Sequence, residues 1–246
     1  MVLRNREEIV PMKNRGIIAL LIVFLLLAFA AGGLFVARPA ILDQRREQSE
    51  AIIIAMIEDG QTVISGVPIP EIEGEDAEFF DEDEPGFGQP QVSEDLQTTA
   101  GEEDTITGYG IITIPKIDLK MALMYGADRF ALRGGAGWLP TSAEMGTAGN
   151  CVVFGHRMKR YGRHFNRLGE LEEGDAITLK DADGRSFTYV VTGSEVIVPK
   201  DLFDTLSAHT DGFNLTLVTC TPTGVGSHRL LVYAALQQND LGGNEE

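Results

Sequence analysis

The chain has 246 residues, 43% of them hydrophobic, which allows one or two domains with a buried core. Its formal net charge of -17 is unevenly spread: Glu47 to Asp104 holds 18 acidic residues and no Lys or Arg, whereas Thr105 to Glu246 holds 16 acidic and 13 basic residues. The acidity belongs to one segment, and with no basic stripe elsewhere nucleic acid is excluded as a partner.

Arg4, Arg6, Lys13 and Arg15 lie in residues 1–15, ahead of the uncharged run GIIALLIVFLLLAFAAGGLFVA from Gly16 to Ala37. About 20 apolar helical residues span the hydrocarbon core of a bilayer. Residues 16–37 are therefore expected to be a transmembrane anchor, with residues 1–15 cytoplasmic by the positive-inside bias. The competing reading is a secretory signal cleaved after Ala28-Phe29-Ala30. Against it, the apolar run continues through Leu34, Phe35 and Val36. On either reading the bulk of the protein is exported, and the C-terminal LQQNDLGGNEE offers no second span.

Residues 38–66 place Ile52, Ile53, Ile54, Met56, Ile57 and Ile64 among polar residues at three- and four-residue steps, as expected for a helical stalk with one oily face. Residues 67–106 form an acidic linker. Its stretch from Pro70 to Asp104 has fourteen acidic residues and too little apolar surface to offset the entropy of ordering. Phe79, Phe80 and Phe87 make that stretch a candidate lid over a groove.

The texture changes from residue 107. YGIITIP, LKMALM, NCVVFG, DAITLK, FTYVVTGSEVIV, NLTLVTC and HRLLVYAAL are short β-branched runs punctuated by Gly, Pro, Asp and Asn. Short helical pieces fit only near Ala127–Leu132, His164–Leu171 and Asp201–Leu206. Seven or eight strands in residues 107–238 predict an all-β closed barrel or sandwich, followed by a tail at 239–246.

Three residues at strand ends carry the candidate chemistry. Cys220 closes the run Asn214–Cys220 just before Thr221-Pro222 and a Gly-containing loop, which places the thiol at a rim. Arg229 opens the next run across that loop, where it would lower a thiol pKa or donate to an oxyanion. His156 follows the strand Asn150–Gly155 and suits proton transfer to a leaving amine and from an incoming one. His228 should face away from Arg229 by strand alternation. His164 and His209 read as surface residues, and Asp204 or Asp211 as possible orienters of His156. Cys151 reads as a buried, inert thiol. There is no CxxC, HExxH, EF-hand spacing or phosphate loop, so no metal or cofactor is expected.

Thr216-Leu-Val-Thr-Cys220 with Thr221-Pro222, Ser227-His-Arg-Leu-Leu-Val232, Asn150-Cys-Val-Val-Phe-Gly-His156-Arg157 and the opening strand Tyr109–Pro115 together resemble the sortases, from about Gly108 to Leu236. The resemblance implies an eight-stranded β-barrel on the outer face of a Gram-positive membrane. It implies that Cys220 attacks the Thr carbonyl of an LPXTG-like sorting signal and that His156 protonates the leaving amine. Arg229, with Thr219 or a backbone N–H, would hold the oxyanion or position the signal. An amine of a cell-wall precursor (lipid II-type) or a pilin lysine would then resolve the thioacyl intermediate. The motifs resemble pilus-building class C and some class D members, although the Asp-Pro-aromatic lid of class C is reduced to the separated Asp83, Pro85 and Phe87. The alternatives are an exported cysteine protease or hydrolase, and a non-enzymatic β-domain with a Cys151–Cys220 disulfide.

Overall fold

The computed structural model describes residues 12–69 and 105–237, except the side chains of residues 12–15, 30, 31, 33–40 and 43. The acidic stretch 70–104, its Phe79, Phe80 and Phe87, and the tail at 239–246 lie outside the described residues. The chain divides into two compact units, Met1–Arg45 and Arg46–Glu246. Helix α1 (Met12–Glu58) contributes to both. In the first unit, side chains such as Ile17, Leu21, Phe24 and Leu27 are exposed. Among the described residues no helix is long and apolar enough to cross a membrane. The anchor expected over residues 16–37 includes side chains outside that set.

The second unit is built on strands β1 (Val63–Ile64), β2 (Ile106–Ile114), β3 (Leu119–Tyr125), β4 (Ala136–Trp138), β5 (Gly149–Phe154), β6 (Ala176–Asp181), β7 (Ser186–Ile197), β8 (Phe213–Thr221) and β9 (His228–Leu236). They pair in the order β1-β2-β3-β4-β5-β8-β9-β7-β6, and β6 pairs back onto β2. Eight strands, β2 to β9, thus close into a barrel, with β1 added outside on β2. Closure removes the unpaired edges that would otherwise template aggregation.

Strand alternation sorts the side chains into two layers. Cys151 and Val153 on β5, Leu215 and Leu217 on β8, and Leu230 and Val232 on β9 fill the barrel with Ile112, Leu123, Phe165 and Tyr189. Val152, Phe154, Val218 and Leu231 face outward under α2 (Arg129–Gly134) and α3 (Leu202–Ser207), which supply Leu132, Leu202 and Leu206. The expected helices near 127–132 and 201–206 are these two, and Phe165–Glu170 is a 3-10 turn. β4 escapes a reading of the sequence because Gly134-Gly135-Ala136-Gly137 looks like loop punctuation. Its glycines are needed for close approach: a Cβ on Gly135 would collide with the Ala122 carbonyl of β3.

The stalk expected at 38–66 ends packed on the barrel. Ile53 and Ile57 are buried with Ile64, Val67, Ile106, Ile111, Ala122 and Met124. Ile57 meets the backbone at Gly108 so closely that a Cβ there would lie 2.9 Å from its Cγ1. Exposed charges add a tie at the same end, where Lys120 Nζ lies 2.8 Å from Glu58 Oε1.

Ile57→Ala is therefore expected to destabilise the barrel unit by about 2–5 kcal/mol. Ile52→Ala, at a side chain left half exposed, should change stability by less than about 0.5 kcal/mol. Urea denaturation of both variants checks the contrast, and equal midpoints would mean the helix end contributes nothing to the core.

Candidate active site

Three neighbouring strands assemble the site. β8 pairs in parallel with β5 on one side, with Phe154 opposite Val218, and antiparallel with β9 on the other, with Cys220 opposite Arg229. The β5–β8 ladder continues one step beyond the strand, as Gly155 N–H donates to the Val218 carbonyl at 3.0 Å. Extending that register by two residues brings His156 alongside Cys220. By alternation Cys220 and Arg229 share the outward face with Val218 and Leu231. One sheet register thus brings together a thiol, an imidazole and a guanidinium drawn from three separate stretches of chain.

All three side chains are buried: Cys220 is 0% exposed, Arg229 4% and His156 6%. The thiol stands at a rim, as the strand end predicts, but it is not open to solvent. Two loops bracket it, and they meet where the Lys159 side chain lies against Gly224, whose φ of +76 favours glycine. Arg229 Nη1 donates to the Gly226 carbonyl at 2.9 Å and to the His228 carbonyl at 3.2 Å, tying the guanidinium to the β8–β9 loop.

Burial pushes the His156 imidazole down to about 3, helped by the positive surroundings supplied by His164 and Arg46. The resting imidazole is therefore neutral at physiological pH. Its free lone pair leaves room for a proton from a thiol, while burial opposes the imidazolium that would form. Such a transfer within the pair leaves the net charge of the buried site unchanged.

The other candidates fall into place around this centre. Thr219, expected near the oxyanion, faces the opposite side of the sheet from Cys220, and its hydroxyl donates to the Gly155 carbonyl at 2.7 Å. It pins the turn that carries His156. Ser227 Oγ lies 2.9 Å from His228 Nδ1 in the loop, and His209 stacks on Tyr233 with ring centroids 4.2 Å apart. His164, read from the sequence as a surface residue, is 4% exposed, with its ring centroid 6.4 Å from that of His156. Asp211 precedes β8 by two residues and lies at the other end of the strand from Cys220, which is about 24 Å along the extended chain from Phe213. It is too far to orient His156.

Arg157 closes the motif that ends in His156-Arg157, but no role of its own is legible for it in the sequence. Its Nη1 donates to Thr221 Oγ1 at 2.8 Å, next in the chain to Cys220. Burial lowers the Arg157 guanidinium from its ordinary value, and charge interaction with Cys220 works the other way.

The two cysteines form no disulfide. Cys151 pairs with Leu215, five residues and about 17 Å along β8 from Cys220, and it points into the barrel. Bridging requires Cα atoms within about 7 Å. Burial raises the Cys151 thiol well above its ordinary value, which makes it inert as a nucleophile. Among the described residues no His, Cys, Asp and Glu cluster is arranged to hold a metal ion.

A closed eight-stranded barrel that gathers a cysteine, a histidine and an arginine on one outer face has the parts of a cysteine-dependent acyl-transfer enzyme. The family model described as Sortase domain matches residues 112–237, and the chain belongs to the sortase family of cysteine transpeptidases. Sortase A of Bacillus anthracis is 25% identical over 207 residues, covering 84% of this chain and 90% of that protein. Sortase D of Bacillus subtilis is 33% identical over 127 residues, covering 50% of this chain and 61% of its own length. A crystal structure of sortase C1 from Streptococcus agalactiae aligns with a TM-score of 0.48 at 35% identity, over 53% of this chain and 67% of that one.

Thiol titration in denaturant without reductant should return two thiols per chain, and a count near zero would contradict the geometry. The His156 burial has a consequence for acid stability. The unfolded imidazole takes a proton below about pH 6.5, whereas the folded one resists until about 3. Wild-type stability relative to His156→Asn should hold above about pH 6.5 and fall below it by about 1.4 kcal/mol per pH unit. Denaturant melts of both proteins at several pH values give this difference, and a flat one would mean that the folded imidazole titrates normally.

Proposed function

We propose that this sortase cleaves an LPXTG-like sorting signal through a thioacyl intermediate on Cys220 and transfers the released acyl group to an amine. The observation that carries this reading is the cross-strand pairing of Cys220 with Arg229, with His156 continuing the adjacent ladder. Binding of the signal between the loops after β5 and β8 brings its Thr carbonyl to the sulfur. Cys220 gives its proton to the neutral His156 imidazole, and the thiolate adds to the carbonyl carbon. Arg229, held by the Gly226 and His228 carbonyls, presents a fixed positive charge to the oxyanion. Collapse of the tetrahedral intermediate breaks the C–N bond as His156 returns its proton to the leaving amine. An incoming amine then attacks the thioester carbonyl, His156 takes its extra proton, and collapse breaks the C–S bond as His156 passes that proton to the sulfur, restoring the thiol.

The incoming amine is that of a cell-wall precursor or a pilin lysine. Residues 16–37 hold the enzyme in the membrane with the barrel on the outer face of a Gram-positive cell. The support for that placement is the 22-residue uncharged run from Gly16 to Ala37, behind four basic residues.

Incubation with a panel of sorting-signal peptides should leave the N-terminal fragment of one peptide as a thioester on Cys220, visible by mass spectrometry. Supplying a cell-wall peptide amine and a pilin-derived lysine peptide together should convert the adduct to one amide product, which identifies the acceptor. Cys220→Ala should show neither adduct nor transfer, and retained transfer would remove the thiol from the mechanism. Arg229→Lys should lower kcat/KM by about 10²-fold, because a single ammonium cannot keep both carbonyl contacts and still face the oxyanion. Near-native turnover in that variant would take Arg229 out of the reaction.

A further inference from the structure

The loop after β5 carries His156 out of the sheet and returns beside it. Phe165 N–H donates to the His156 carbonyl at 3.0 Å, and Arg157 forms a backbone bridge with His164. Residues 157–164 are thus a closed loop whose returning end sits against the histidine. That end is held in an unusual state. His164 has a φ of +46, a left-handed conformation that residues other than glycine seldom adopt without outside support.

The support comes from α1. Glu50 Oε1 lies 3.0 Å from His164 Nε2 and 3.3 Å from Arg163 Nη2, and Glu47 Oε1 lies 3.4 Å from Arg163 Nη1. These groups are shielded: the side chains of His164, Arg163 and Glu50 are 1%, 15% and 17% exposed. His164 Nδ1 is buried with no hydrogen-bond partner among the described residues, so the Nε2 contact with Glu50 is what orients the ring. The Glu50 carboxyl is held below its ordinary value: burial raises it, but His164, Arg163 and Arg46 together outweigh that. It is a carboxylate throughout the neutral range.

We propose that Glu50 is a positioning residue for His156, acting through Arg163 and His164 to fix the loop that returns beside the imidazole, so that the end of α1 is part of the catalytic apparatus. The inference rests on the reading of His156 as proton carrier for its effect on turnover, but its geometric half stands apart from that reading. With Glu50 in place the returning strand of the loop has one position, and His156 meets the sulfur in one orientation. Without the carboxylate, Arg163 and His164 lose their shared acceptor, the left-handed turn at His164 loses its support, and the imidazole samples poses that do not reach Cys220. Proton transfer depends on geometry more steeply than binding does, so the loss should fall on kcat.

The test uses the full-length protein in detergent, with Glu50→Gln, Arg163→Lys and the control Glu58→Gln. The control removes the other acidic tether of the same helix end, the Glu58–Lys120 pair on the exposed surface. Two readouts are taken: transfer kinetics with the sorting-signal peptide, and the ring nitrogen NMR signals of His156, assigned by their loss in His156→Asn. Glu50→Gln should lower kcat about tenfold with KM within about twofold, and should shift or broaden the His156 signals. Arg163→Lys should move both readouts the same way, which covers the case in which Glu50→Gln folds poorly. Glu58→Gln should move neither. Unchanged His156 signals in Glu50→Gln and Arg163→Lys would overturn the proposal whatever the activity, as would equal kinetic losses in Glu50→Gln and Glu58→Gln. If the signals shift but the unmodified enzyme forms no thioester, the transpeptidation reading fails while the positioning role of Glu50 stands.

Discussion

The structure depends above all on the placement of β8 between a parallel neighbour and an antiparallel one. A strand in that position has its register set twice, by β5 through Phe154 and Val218 and by β9 through Val218 and Leu231. A slip of one residue on either side would turn Val218 and Leu217 to the wrong layers and expose a row of apolar side chains. The core therefore enforces the alignment that sets Cys220 opposite Arg229 and His156 two steps beyond Phe154. The packing energy of Leu215, Leu217, Val232 and their neighbours thus aligns these three side chains as well.

The same alternation gives the two cysteines different lives. Cys151 faces inward among apolar side chains, where burial suppresses its ionisation. Cys220 faces the outer side of the sheet, opposite Arg229, and is buried there. The resting centre holds a neutral imidazole because burial disfavours its charge and two nearby basic groups oppose another proton. An ion pair held permanently in such a place would carry a desolvation cost of several kcal/mol.

The end of α1 joins this arrangement through a stripe at helical spacing. Arg46, Glu50, Ile53 and Ile57 follow at steps of four, three and four, which places them along one side of the helix. Ile53 and Ile57 enter the apolar cluster against β2 and β3, while Glu50 reaches the loop that flanks His156. Apolar packing thus holds the helix where its carboxylate meets Arg163 and His164. Both belong to the unit that begins at Arg46.

Much of this was legible in the residues themselves. β-Branched runs broken by Gly, Pro and Asp marked seven of the strands, because their period of two follows from the pleat, and the ends of three of them carry His156, Cys220 and Arg229. The joint pattern around His156, Cys220 and Arg229 pointed to the family before any coordinate did. Other features depended on contacts between residues far apart in the chain. β4 is hidden behind glycines whose purpose is close backbone approach to β3. Thr219 sits one residue from Cys220, yet faces the other layer and binds the Gly155 carbonyl. His164 looks solvated in a polar stretch, yet it is buried because a helix more than a hundred residues earlier brings Glu50 to it. Local sequence determined which segments are strands and which residues have reactive chemistry, since propensity and alternation are short-range properties. Tertiary structure alone decided strand order, loop closure and the partners of the buried charges, since those follow from which distant surfaces bury each other best.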